Sequence, residues 1–100
     1  IVIQSETGVS SWFGFSMILI NKLANNRDNV IKILENNNIE TRPIVAGNFT
    51  RNPVIKHLNH RISGKLTNAD ISDKQGFFLG NDHRNLRDEL YLLSNIMEKL

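Results

Sequence analysis

An α+β two-layer sandwich is the fold the sequence predicts, with about three strands and the long helices mainly on one face. Three observations carry that prediction. Short runs of aromatic and β-branched residues alternate along the chain with stretches of helical spacing. The strand-like runs are too short to stand without a shared sheet. Two amphipathic helices in turn need an apolar face to bury against. The 100-residue length suits one domain. Its 40% hydrophobic and 22% charged residues suit a packed unit rather than a disordered one.

Residues 1–10 read as a lead-in, in which Ile1-Val2-Ile3 has strand character that Gly8 and the serines interrupt. Trp12–Ile20 reads as a buried strand, with Gly14 allowing close approach of a neighbouring backbone. Asn25 or Asn26 is expected to cap a helix over Arg27–Glu35, where Val30, Ile31, Ile33 and Leu34 form an apolar stripe. The Asn36-Asn37-Asn38 run should end it, because asparagine tolerates the left-handed conformation. Ile39–Val45 is a second strand. Pro43 has no N–H for a ladder, which places that strand at an edge.

Ala46–Asn52 reads as a loop, and Pro53 fits the first turn of a short helix over Pro53–Asn59. Thr67 is expected to cap a helix over Asn68–Lys74 that Gly76 terminates, and Gly76–Leu79 is the third strand. After the turn Gly80–His83, Asn85 caps the last helix. Leu86, Leu90, Leu93, Met97 and Leu100 align along it as one core-facing stripe.

Composition excludes several functions. There is no cysteine, hence no disulfide, thiolate metal site or thiol nucleophile, a pattern that fits the cytoplasm. No basic leader precedes an apolar run and no run reaches membrane-span length. The pI is about 9.2 but the formal charge is only +2, and the cations are spread from Lys22 to Lys99 rather than gathered as in a nucleic-acid binder. His57 and His60 share a helical spacing without a third ligand, so no metal is expected. The chain opens on Ile1 and closes on Leu100 inside an apolar pattern, which predicts a piece of a longer protein.

One segment combines chemistry suited to a ligand. Arg42–Arg51 (RPIVAGNFTR) follows a strand end, where open sheets tend to bind ligands. Arginine forks fit phosphate or carboxylate oxygens, and Asn48 can both donate to and accept from a sugar hydroxyl. By chemistry alone the segment is equally a polar turn with solvated arginines.

The strings WFGF, NNIETRPIVAGNFTRNPV and NADISDKQGFFLGNDH resemble the C-terminal region of the DegT/DnrJ-type sugar aminotransferases. The nearest branch is that of the lipopolysaccharide deoxysugar 3-dehydratases, beside the perosamine synthases. The resemblance covers roughly residues 11–100. Asp82 departs from it, standing where the dehydratase branch often has His.

The resemblance implies the small domain of a pyridoxal phosphate enzyme of fold type I, usually homodimeric, acting on a nucleotide-linked 4-keto-6-deoxy sugar. It implies that the cofactor and the catalytic Lys or His belong to a large domain absent from this sequence. The small domain should bind no cofactor itself, should be inactive alone, and should supply one wall of the substrate cleft. Carried over by position, Asn48 would lie near the sugar, Arg42 and Arg51 would make polar or phosphate contacts, and His83 and Asn81 would line the same wall. The alternative is a free-standing α+β module that binds nucleotides or nucleic acid.

Overall fold

The computed structural model describes all 100 residues, Ile1–Leu100. Four antiparallel strands form one sheet: β1 (Val2–Ile3), β2 (Gly14–Ile18), β3 (Thr41–Pro43) and β4 (Gly76–Gly80), in the order β1-β2-β4-β3. Three helices complete the fold: α1 (Arg27–Asn36), α2 (Thr67–Gln75) and α3 (Arg87–Met97).

Pro43 lies on the edge strand β3, where its missing N–H costs no ladder bond. The lead-in contributes the other edge, with Val2 opposite Ile18 and Ile3 opposite Met17, so the strands number four rather than three. In the centre, β2 and β4 pair from Gly14–Gly80 to Ile18–Gly76. This register puts Met17 beside Phe77 and Phe15 beside Leu79 on one face, since side chains alternate along a strand.

That face is the core. Met17, Leu19, Phe77 and Leu79 from the sheet region meet Val30 and Leu34 of α1 and Leu93 and Ile96 of α3. Two helices on one face agree with the two-layer prediction. On the opposite face Gly14 lies beneath the Phe78 ring and beside the Leu79 carbonyl, so a side chain there would displace the ring. Phe13 then packs on Phe78, with ring centroids 6.0 Å apart.

The helix ends differ from expectation in detail. Asn26 occupies the cap position of α1, but its side chain makes no capping bond. Asn38 adopts φ 60 just past α1, the left-handed stop that the asparagine run predicts. Thr67 is the first helical residue of α2 rather than its cap, which falls on Leu66. Asn85 does act at the start of α3, its Oδ1 accepting from the Arg87 N–H at 3.2 Å. Pro53 opens a short 3₁₀ turn (Pro53–His57), capped by Asn52 through the Val54 N–H.

The apolar stripe of α3 is covered over only half its length. Leu93 and Ile96 are buried, but Leu90, Tyr91 and Leu92 are exposed, correcting the reading of this segment as continuous core. Only ten residues are buried in all, and Phe13, Phe49, Val54, Leu58 and Ile62 are also exposed. The radius of gyration is 15.4 Å, against about 13 Å for a compact domain of this length. From Asn52 to Lys65 every residue but Ile55 is exposed, so this arm packs on little of its own domain.

Candidate functional site

The loop between β3 and the Pro53 turn is built on α2. Gly47 has φ +59, and the space a side chain would take is filled by the Asp73 carboxylate. The Asn48 N–H donates to Asp73 Oδ1 at 3.3 Å. Its Nδ2 donates to Asp70 Oδ1 at 2.7 Å, while its Oδ1 accepts from the Thr50 N–H at 3.1 Å and the Thr50 hydroxyl at 2.7 Å. Arg51 Nε donates to the same Asp70 oxygen at 2.6 Å.

Asn48 is therefore an inward brace. It is 5% exposed and its polar atoms are engaged within the loop and α2. Its amide is committed mainly to the loop and α2, with one Nδ2 hydrogen left for a further partner. Arg51 differs: its side chain is half exposed, and its two Nη groups make no hydrogen bond to the protein.

Of the other three candidates, Arg42 sits midway along the sheet edge, and Asn81 and His83 follow the far end of β4. Arg42 stands on β3 opposite Phe78, with its guanidinium on Glu40 at 2.5 Å. Asn81 follows β4 and donates through Nδ2 to the Trp12 carbonyl at 2.7 Å. Both line a cavity of about 890 Å³ whose walls include Phe13, Phe15, Leu79 and Leu90. His83 lies outside that lining, almost fully exposed, with Nδ1 3.1 Å from Asp82. Asp82 also accepts from the backbone N–H of Arg84, the chief reason its carboxyl is held below the usual range, with the Arg84 guanidinium adding to it. Asn48 and Arg51 thus meet at Asp70, Arg42 and Asn81 share the cavity, and His83 stands apart from both pairs.

Sequence reasoning passed over the residues that organise the loop. Asp70 and Asp73 are three apart in a helix, hence on one side of it, and that spacing was the available signal. Arg27 completes the assembly from α1, donating through Nη1 to the Asp73 carbonyl at 2.5 Å. That carbonyl lies in the last turn of α2, where acceptors lack helical partners and a cation is favourable.

Bonds from Arg51 first, then Asn48, lower the Asp70 carboxyl from 3.8 to about 2, and the Arg51 guanidinium is raised by the same contact. A depressed folded value means that ionised Asp70 stabilises the fold above its ordinary value, and that this support is lost as pH falls through about 2. Between about pH 4 and pH 2 the thermal midpoint of the native chain should fall more steeply than that of an Asp70→Asn variant. Parallel curves over that interval would remove the contact from the stability of the fold.

The residues present do not fit pyridoxal phosphate on their own. All six lysines are exposed, and none lines an enclosed site that could hold a cofactor ring. The glycine turn at Gly47, in the candidate loop, has a carboxylate against it.

A small antiparallel sheet with two helices on one face, and much apolar surface uncovered elsewhere, is the architecture of the C-terminal part of a fold type I pyridoxal phosphate enzyme. More particularly, the chain is homologous to the C-terminal portion of the GDP-4-keto-6-deoxymannose 3-dehydratases and related deoxysugar enzymes. The GDP-4-keto-6-deoxy-D-mannose 3-dehydratase of Yersinia pseudotuberculosis is 44% identical over 98 residues, covering 97% of this chain and 25% of that protein. The E coli enzyme of that name, solved with bound hydrated PLP, superposes with a TM-score of 0.87 at 40% identity, over 94% of this chain and 24% of its own. A variant of GDP-4-keto-6-deoxymannose-3-dehydratase with bound GDP-perosamine gives 0.88 and 40%, over 94% and 25%. No family model matches the chain. The chain spans about a quarter of the length of these relatives. Similarity of nearly all its residues to part of larger enzymes leaves the free-standing binding module without support.

Proposed function

We propose that this chain is the C-terminal small domain of a pyridoxal phosphate-dependent enzyme acting on a nucleotide-linked 4-keto-6-deoxy sugar, in lipopolysaccharide or related deoxysugar biosynthesis. The observation that carries the proposal is the 40% identity and TM-score of 0.88, over 94% of the chain, with a dehydratase variant holding GDP-perosamine. The dehydratase names of the relatives favour removal of the sugar 3-hydroxyl over transfer of an amine. Residues 11–100 make up the domain in this reading, and residues 1–10 are the segment leading in from a large cofactor-binding domain. In this reading the parent is a cytoplasmic homodimer; no helix of this chain is long and apolar enough to cross a membrane.

This chain's own residues bind and shape. Arg51 offers its open nitrogens to the nucleotide phosphates from a loop that Asn48 holds. Arg42 and Asn81, with His83 beyond them, form a second polar rim at the far cavity. The test is to express the full-length parent with pyridoxal phosphate and glutamate, supply GDP-4-keto-6-deoxymannose, and look for the 3-deoxy product. An aminated sugar retaining its 3-hydroxyl would reverse the choice of reaction. Arg51→Ala should raise KM with little change in kcat. A charge-assisted bond is worth about 1.5–3 kcal/mol, roughly tenfold to a hundredfold. An unaltered KM would remove Arg51 from the substrate wall.

A further inference from the structure

We infer that Asp70 is a positioning residue: one of its carboxylate oxygens fixes the Gly47–Arg51 loop in a single shape and presents the free end of Arg51 to the diphosphate of a nucleotide-linked sugar. The inference rests on the substrate-wall reading of Arg51 and extends it to a residue on another element.

Asp70 Oδ1 accepts from Asn48 Nδ2 at 2.7 Å and from Arg51 Nε at 2.6 Å. The two donors enter the loop's shape in different ways. Asn48 turns the backbone by bonding Thr50, and Arg51 ends that turn, so one acceptor ties both ends of it to α2. Asp73, three residues further along the same helix, receives the Asn48 N–H and packs against Gly47. Two carboxylates on one side of α2 therefore grip the loop.

Guanidinium is a rigid planar fork with five N–H donors. Asp70 engages it at Nε, which leaves the four Nη hydrogens without a protein partner on a half-exposed side chain. Several open donors held in one plane suit the oxygens of a phosphate. The gain from fixing them is entropic: an arginine that is already oriented loses less rotamer freedom when the anion arrives.

A rival role for Asp70, plain neutralisation of Arg51, makes the opposite prediction. Removing a neutralising carboxylate would strengthen attraction for an anion and lower KM, whereas removing a positioning one raises it. Asp70 is one-third exposed, so its replacement leaves the core untouched.

The experiment uses the full-length enzyme that carries this domain, with hydrogen exchange of peptides covering residues 47–52 and steady-state kinetics on GDP-4-keto-6-deoxymannose. Asp70→Ala should speed exchange in the loop and raise KM roughly tenfold with kcat within about twofold. Asp70→Asn, which keeps an acceptor oxygen, should recover most of the protection and bring KM to within about threefold of the native value. In an Arg51→Ala background, Asp70→Ala should add nothing further to KM. Unchanged loop exchange in Asp70→Ala overturns the positioning role. So does faster exchange with an unchanged or lowered KM, if Arg51→Ala alone raises it. An Arg51→Ala enzyme with native KM refutes instead the substrate-wall reading, while exchange still reports separately whether Asp70 holds the loop.

Discussion

Phe77→Ala should remove much of the stability of this domain. Phe77 is fully buried on the central strand β4, beside Met17 of β2 and Pro43 of β3, and packed beneath α1 and α3. Truncating a buried phenylalanine costs about 3–5 kcal/mol, counting the lost transfer energy and the cavity left behind. A whole domain has only about 5–15 kcal/mol to lose, and this one draws on ten buried residues. With a urea dependence of about 1–3 kcal/mol per molar, the unfolding midpoint should drop by more than about 1 M. Trp12, the one tryptophan, stacks with Phe15 at 6.4 Å and can report the transition by fluorescence. A midpoint within a few tenths of a molar of the native value would mean that the core closes over the gap.

Gly47→Ala should be nearly as damaging, through strain rather than a cavity. An alanine at φ +59 pays about 1–2 kcal/mol for the left-handed backbone. Its methyl also enters space held by the Asp73 carboxylate, so the loop has to leave α2 or the helix has to shift. The combined loss should be about 2 kcal/mol or more, measured by the same titration, with faster hydrogen exchange at Asn48 and Thr50. The second-site variant Gly47→Ala/Asp73→Ala should recover the steric part and leave the backbone part. Equal stability of the single variant and the native chain would show that the loop is not fitted to α2 as described.

Local signals in the sequence were legible where the physics is local. Pro43 reveals an edge strand because a missing N–H matters whatever surrounds it. Asn38 marks the end of α1 because left-handed tolerance is a property of the residue. The stripe Val30, Ile33, Leu34 announces a buried helix face, and the fold buries Val30 and Leu34 completely. What escaped was pairing across distance. Nothing near Asn48 in the chain announces that its amide will meet Asp70, 22 residues on, so its polar chemistry read as outward-facing. The α3 stripe predicts one apolar face without saying what covers it, and Leu90 to Leu92 stay exposed on this domain. Arg42 and Arg51 flank one short segment and read as partners, yet β3 and the turn after it carry them to separate places.

The junction of α2 and β4 has a mechanical consequence. Gln75 ends the helix and Gly76 begins the strand with no residue between them, and the Leu19 N–H is bonded to the Gln75 carbonyl at that seam. There is no slack to absorb a displacement. A displacement of α2 at Asp70 and Asp73 therefore meets no connecting residue before the strand that carries Phe77.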